Sequence, residues 1–265
     1  MKTFVRIAGV CLLLASVAFL SAAEPRVGPL TRAHSHNDYE QRRPLADALS
    51  HGFWSVEADV WLHQGRLPVA HDFADVLPEK TLQNLYLNPL REFFKTNAIP
   101  KGTPPLTLLI DVKSAAEPTY AALRDVLKNY ADILTRFESN TIHTNAVMVI
   151  ISGERAPSVM AVELSRFAAV DGRLPDLATN PPVALVPLIS DNWTKQFKWR
   201  GMGLMPEDER TKLRELVRQA HVQGRRLRLW AAPDNEAGWK ELREAGVDLL
   251  NTDHLAEMEK FLRAR

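Results

Sequence analysis

The sequence predicts a single-domain (β/α)8 barrel of the TIM type. Three observations carry that expectation. Eight short apolar runs recur along the chain, at residues 30–36, 53–62, 106–111, 146–151, 166–170, 183–189, 226–230 and 247–251. Amphipathic stretches separate several of them, most clearly at 44–51, 118–137, 157–164, 206–223 and 236–245, as in parallel βαβ units with right-handed crossovers. Several of these open on proline and some close at Gly52, Gly224 or Gly246, which are helix start and stop signals. Third, no Gly-rich dinucleotide loop follows the first strand, which argues against the runner-up, an open doubly wound sheet.

Residues 1–23 read as a signal peptide that lies outside the barrel. Lys2 and Arg6 give a basic start, 7–20 is an apolar run, and Ser21-Ala22-Ala23 offers small side chains for cleavage. The run is short for a membrane span, and an uncleaved anchor is the alternative. Cleavage implies export, periplasmic or secreted, with 24–265 as the mature domain and no lasting membrane span. Cys11 is the sole cysteine and falls within this run, so the mature chain has neither disulfide nor thiolate chemistry. The 33 Lys and Arg nearly balance the 32 Asp and Glu. That net charge gives no electrostatic case for nucleic acid or an anionic membrane as partner.

Strand one ends in Ala33-His34-Ser35-His36-Asn37-Asp38-Tyr39. The i, i+2 spacing puts His34 and His36 on one face, and imidazoles transfer protons near neutral pH. Asn37, beside them, is a candidate substrate contact. On strand two, Trp54, Val56, Ala58, Val60 and Leu62 form one apolar face, and Phe53, Ser55, Glu57, Asp59 and Trp61 the other, inward face. A buried, unpaired carboxylate costs several kcal/mol (~3–5), so Glu57 and Asp59 require a cation. The alternative is an exposed strand end or bridges to Arg or Lys.

After strand two, Gln64-Gly65 is a turn candidate and 67–70 a second extended run. This reads as a hairpin-like excursion that carries His71 back over the barrel mouth. Strand three ends in Asp111-Val112-Lys113, with Asp111 and Lys113 on one face at the end where barrel active sites form. Glu57, Asp59 and Asp111 then supply three oxygen donors, a set that suits one Mg²⁺ or Ca²⁺ better than Zn²⁺. Lys113 offers positive charge to an anionic oxygen; a surface salt bridge is the alternative. Arg155, after strand four, is either an anion contact or a solvated loop charge. Trp230, ending strand seven, can wall a substrate pocket. Asp253 either caps the last helix or lines the mouth, and the cap is favoured because Asp before a helix is a common start signal. His51, His63, His143, His221 and His254 read as surface or packing residues.

In this order, these pieces resemble the PI-PLC-like phosphodiesterase superfamily, in its glycerophosphodiester phosphodiesterase-like branch. His34/His36 resembles that family's first catalytic His. Val56-Glu57-Ala58-Asp59-Val60 resembles its metal-binding Glu-x-Asp, and Gly65 through Asp72 its segment with the second catalytic His, here His71. Asp111-Val112-Lys113 resembles its Glu-Ile-Lys, with Asp as third ligand. Trp230 and the stretch from Gly246 to Asp253 resemble its C-terminal pocket and closing motif. The usual His-Arg-Gly is replaced by His-Ser-His-Asn-Asp-Tyr, and Glu-Asn-Thr is absent before Pro44-Leu45. The Ser-His-Asn-Asp-Tyr form is closer to a subgroup that includes the yeast altered-inheritance-of-mitochondria proteins. His36 fits the first catalytic position by its spacing of 21 residues to Glu57, with His34 as the alternative.

The resemblance implies a metal-dependent phosphodiesterase acting on a glycerophosphodiester or a related small-molecule or lipid-derived phosphodiester. One His would deprotonate the attacking hydroxyl and the other protonate the leaving alkoxide. Two alternatives stand beside it: a phospholipase D-like or cyclising lyase on a phospholipid headgroup, and a non-catalytic barrel that binds metal or phosphate.

Overall fold

The structure is a computed structural model that describes residues 28–264. The expected signal peptide, with Cys11, lies outside the described residues. Eight parallel strands form the barrel: β1 (Leu30–Ser35), β2 (Phe53–Val60), β3 (Leu106–Val112), β4 (Val147–Gly153), β5 (Ala168–Gly172), β6 (Leu188–Asn192), β7 (Arg226–Trp230) and β8 (Leu250–Thr252). They pair in the order β7-β6-β5-β4-β3-β2-β1-β8. A single parallel bridge, Arg228 to Leu249, joins β7 to the approach of β8 and brings the sheet close to full closure.

Both faces of the strands are apolar because each is covered. Val56, Ala58, Leu108, Ile110, Val149 and Ile151 belong to the main core, with helix residues such as Tyr120, Leu123 and Leu127. The other face fills the barrel. Leu109, Ile150, Leu188 and Leu249 form a separate buried cluster against Met148. Above this apolar plug the inward positions turn polar. Asp59 registers with Asp111 and Asp111 with Ser152, so neighbouring strands deliver polar side chains at one level.

The excursion after β2 is a hairpin, as its turn residues predict. Antiparallel bridges pair Val60 with Val69 and His63 with Arg66. Gln64 and Gly65 both have positive φ (49° and 72°), the twist that a two-residue hairpin turn requires. The Ala70 N–H donates to the Asp59 carbonyl at 3.1 Å, which fixes the backbone just before His71.

The strand expected over 183–189 runs instead as Leu188–Asn192, after a turn at 183–185. Two further elements differ from expectation. The helix expected over 118–137 runs as Ala116–Leu127, followed by a 3-10 turn at Lys128–Tyr130. Arg136–Glu138 is instead a strand, paired with Thr141–His143 and Ser165–Arg166. Phe137 is fully buried there beneath the Arg166 guanidinium, a tertiary contact that overrides helical patterning. The second is a helix at Asn88–Thr96, entered through a π-turn at Gln83–Leu87, which lies in a stretch without expected structure. Pro89 lacks an N–H, and the wider turn ahead of it accommodates the missing hydrogen bond. Phe93 and Phe94 of this helix meet the Trp54 ring edge-on, which covers the outer face of β2.

Candidate active site

Glu57, Asp59 and Asp111 converge at the C-terminal end of β2 and β3. One carboxylate oxygen from each lies within 4.8 Å of the others. Asp59 is fully buried. Its Oδ2 accepts from the Tyr39 hydroxyl at 2.7 Å and pairs with Lys113 Nζ at 3.0 Å and His71 Nδ1 at 3.1 Å. Its Oδ1 is buried with no hydrogen-bond partner. Burial, and then the Glu57 charge, push the Asp59 carboxyl above its ordinary range. Lys113 also pairs with Asp111 Oδ2 at 2.5 Å. Burial works to lower the Lys113 pKa, but the bond to Asp111 and the two carboxylate charges raise it, so Lys113 stays charged.

This donor set fits a hard divalent cation. A carboxylate oxygen sealed from water without a donor is costly, and Asp59 Oδ1 is such an atom between two further carboxylates. Three carboxylates against Lys113 and one buried arginine leave an excess of negative charge.

That arginine is Arg228, at an inward position of β7. Its NH2 group donates to Glu57 Oε2 at 2.6 Å, and its Nε–H to Asn251 Oδ1 at 3.0 Å. Burial works to raise the Glu57 pKa, but the Arg228 charge and the His34 hydrogen bond hold it far below the usual carboxylate range.

The His-Ser-His-Asn-Asp-Tyr segment divides its work residue by residue. His34 is fully buried beneath the site, with Nδ1 2.7 Å from Ser55 Oγ and Nε2 3.1 Å from Glu57 Oε2. Burial, then the Arg228 charge, push its pKa down to about 4, so the ring is neutral. An ionised Glu57 only accepts, so Nε2 carries the proton and Nδ1 accepts from the Ser55 hydroxyl. Ser35 donates to Asp38, whose other oxygen accepts from the Leu45 N–H and the Tyr86 hydroxyl, which staples the loop shut. Asn37 adopts a left-handed conformation (φ 44°) that turns the chain. Its side chain makes no hydrogen bond among the described residues. Tyr39, beyond the turn, reaches Asp59 and lies 3.3 Å from His71 Nδ1.

His36 sits at the mouth, partly exposed, with Nδ1 2.8 Å from Asp253 Oδ1. Burial works to lower its pKa, but the bond to Asp253 and the Glu57 charge raise it. His36 and Asp253 line a cavity of about 110 Å³ together with Ala231, Asp234, Asn251 and Thr252. Asn251 Nδ2 is buried and has no partner.

Asp253 therefore lines the mouth, the second of its two sequence readings, and is not the favoured helix cap. The last helix (Leu255–Arg263) has His254 at its cap position, and Asp253 turns to His36. Arg155, half-buried, makes no ion pair with the three carboxylates among the described residues; burial and the neighbouring Arg173 lower its pKa. Trp230 ends β7, half-buried, and is not among the residues lining the His36 cavity. Four of the histidines read as packing residues have carboxylate partners, as in His51–Glu259 and His221–Asp248. Sequence reasoning missed Arg228, Tyr39 and Ser55. The one available signal was an arginine at an inward position between Leu227 and Leu229.

A family model described as an AIM6-like phosphodiesterase domain matches residues 25–170, and one described as the glycerophosphoryl diester phosphodiesterase family matches 226–256. The chain is similar to altered inheritance of mitochondria protein 6 of Eremothecium gossypii, at 31% identity over 88% of this chain and 69% of that protein. An Arthroderma benhamiae homolog of that protein is 29% identical over 83% of this chain and 80% of its own length. Among solved structures, a glycerophosphodiester phosphodiesterase from Parabacteroides distasonis has a similar fold, with TM-score 0.54 and 16% identity, covering 89% of this chain and 98% of that one. A Ca²⁺-dependent phosphatidylinositol-specific phospholipase C from Streptomyces antibioticus has TM-score 0.59 and 11% identity, covering 88% and 95%. At these identities the likeness concerns the barrel fold.

Proposed function

Because this chain belongs to the AIM6-like phosphodiesterase family, we propose that it is a divalent-metal-dependent phosphodiesterase working by paired histidine acid–base catalysis on a glycerophosphodiester or related phosphodiester. The observation that carries this reading is the partnerless, buried Asp59 Oδ1 within the Glu57–Asp59–Asp111 cluster. Those three residues would hold one Mg²⁺ or Ca²⁺. When bound, the ion supplies Lewis-acid stabilisation of charge developing on a phosphate oxygen.

The chain's own groups supply the rest. His71 has Nδ1 against Asp59, so its proton sits on Nδ1 and Nε2 is free to take a proton from the attacking hydroxyl. His36 is held the same way by Asp253, whose hydrogen bond and the Glu57 charge raise its pKa and favour the protonated form that suits the acid protonating the leaving alkoxide. His34 is not a proton carrier in this scheme; it orients Glu57. Lys113 offers a cation to the phosphate, and Asn251 Nδ2 a free donor beside His36. Asn37, Arg155 and Trp230 remain candidates for substrate contact away from the reacting atoms.

Export through the 1–23 segment is part of the proposal, tested by N-terminal sequencing of the mature protein. Among the described residues no helix is long and apolar enough to cross a membrane. The catalytic reading is tested by metal-dependent hydrolysis of bis-p-nitrophenyl phosphate and a glycerophosphodiester panel. Chelation abolishes turnover, and His36→Ala and His71→Ala each lower it by about 10²-fold or more. Activity surviving in both variants would overturn the assignment. A cyclic phosphate seen by phosphorus NMR would assign attack by the substrate's own hydroxyl.

A further inference from the structure

The loop between β6 and the helix Glu207–Val222 lies at the same barrel end as the site. It is firmly anchored. Trp193, Phe197 and Trp199 are buried. Trp193 stacks on Phe197 at 4.2 Å, and its Nε1–H donates to the Trp199 carbonyl at 2.9 Å. Trp199 Nε1–H donates to the Met202 carbonyl, and the Lys198 and Trp199 amides both donate to Glu209. Gly201, at φ +82°, abuts the 231–235 segment: a Cβ there would come within 2.7 Å of Pro233 and Asn235. Part of that segment lines the His36 cavity.

This rigid frame holds two apolar side chains out in water. Met202 is 84% exposed and Leu204 91%. Beside them Lys195, Lys198 and Arg200 are exposed, and none makes an ion pair among the described residues. No acidic residue occurs from 193 to 206. Apolar tips among unpaired cations match an interface that is apolar below and anionic above.

We infer that the 195–204 loop docks the barrel mouth onto an anionic lipid surface. A second copy of the chain fits poorly, because a two-fold contact would set the same three cations against each other. Phe73 and Leu77, exposed on the β2 excursion, are excluded from the contact because Asp72, Asp75 and Glu79 lie among them. The acids nearest Leu204, by contrast, begin the following helix, with Glu207 paired to Arg210 and Arg214 and Glu209 accepting from the Lys198 and Trp199 amides. The near-neutral net charge does not reveal this patch, since its cations are local. The inference does not depend on the catalytic reading, because docking is read without turnover.

The test is co-sedimentation of the protein with phosphatidylcholine vesicles and with equimolar phosphatidylcholine–phosphatidylglycerol vesicles. Binding to the second, weakened by salt and at least tenfold poorer on the first, is expected. Met202→Ser with Leu204→Ser lowers it by on the order of tenfold. Lys195→Ala and Lys198→Ala lower it roughly fivefold each. All variants keep the thermal midpoint and soluble-diester turnover of the parent. No binding to phosphatidylglycerol vesicles, or unchanged binding by both sets of variants, overturns the inference. So does a dimer in gel filtration that Met202→Ser with Leu204→Ser dissociates, which would assign the patch to a second copy.

Discussion

Arg228 donates to Glu57 Oε2 at 2.6 Å from the far side of the barrel, and both side chains are buried. The candidate metal ligand is thus already paired with a fixed cation. His34 shares the same oxygen, and no protein donor reaches Oε1 among the described residues. Glu57 is held ionised and oriented before any ion arrives.

Replacing Arg228 with Met has two expected effects. Stability of the metal-free protein falls by about 3–5 kcal/mol, since a buried carboxylate loses its counter-charge. Divalent cations then bind more tightly, because the competing positive charge is gone. Thermal melts with and without Mg²⁺ or Ca²⁺ read both: the variant's midpoint is lower without metal and rises further with it. An equal metal-induced rise in parent and variant would show that Arg228 does not influence the cation site.

Gly153 ends β4 with φ +65°, and a Cβ there would meet the Val112 carbonyl and lie 2.5 Å from Asp111 Oδ1. Gly153→Ala therefore combines backbone strain with displacement of a candidate ligand. We expect a loss of about 1–3 kcal/mol in stability and at least tenfold weaker metal binding by calorimetry. Metal affinity equal to the parent's would dissociate Asp111 from the cation site.

His34 gives the fold an acid-sensitive element. Its folded pKa of about 4 lies below its ordinary 6.5. Between those values the unfolded chain binds a proton that the native state refuses, so stability rises with pH across that window and is lost as pH falls through it. The full difference is on the order of 3 kcal/mol. Denaturant melts from pH 7 to pH 4 should show the drop, and His34→Gln should flatten it while lowering stability at neutral pH.

Asp253 sets the alkaline limit of turnover if His36 is the acid. The carboxylate raises the His36 pKa, so Asp253→Asn lowers it, and the proton is lost at lower pH. The alkaline limb of the kcat profile should then move to lower pH with the acid limb unchanged. An unmoved alkaline limb would remove His36 from the acid role.

Much of this site is legible in the sequence because it depends on local geometry. Period-two alternation puts Glu57 and Asp59 on one face, and the excursion's turn residues return His71 to Asp59, twelve positions away. Asp111 follows from a strand ending at the barrel's functional face. What could not be read depends on closure. Arg228 meets Glu57 across 171 residues and Asp253 meets His36 across 217, so neither pairing has a local signature. Asp253 reads as a cap because Asp before a helix commonly is one; only the β1–β8 pairing brings it to His36. The helix expected over 118–137 fails for the same reason, since Phe137 is claimed by a strand partner distant in sequence.

The single bridge at Arg228 makes the β7–β8 seam the weakest joint of the ring. The side chain of that same residue spans the interior to Glu57, so it acts as a tie-rod across the opening. If the barrel breathes, it should part there first. The Asp248 and Leu249 amides, which donate to the Leu227 carbonyl across that seam, would then exchange with solvent ahead of those in β3 and β4. The geometry of the candidate site would dissolve while the helical shell still stands, so that the arrangement of its carboxylates and the integrity of the seam become one measurable quantity.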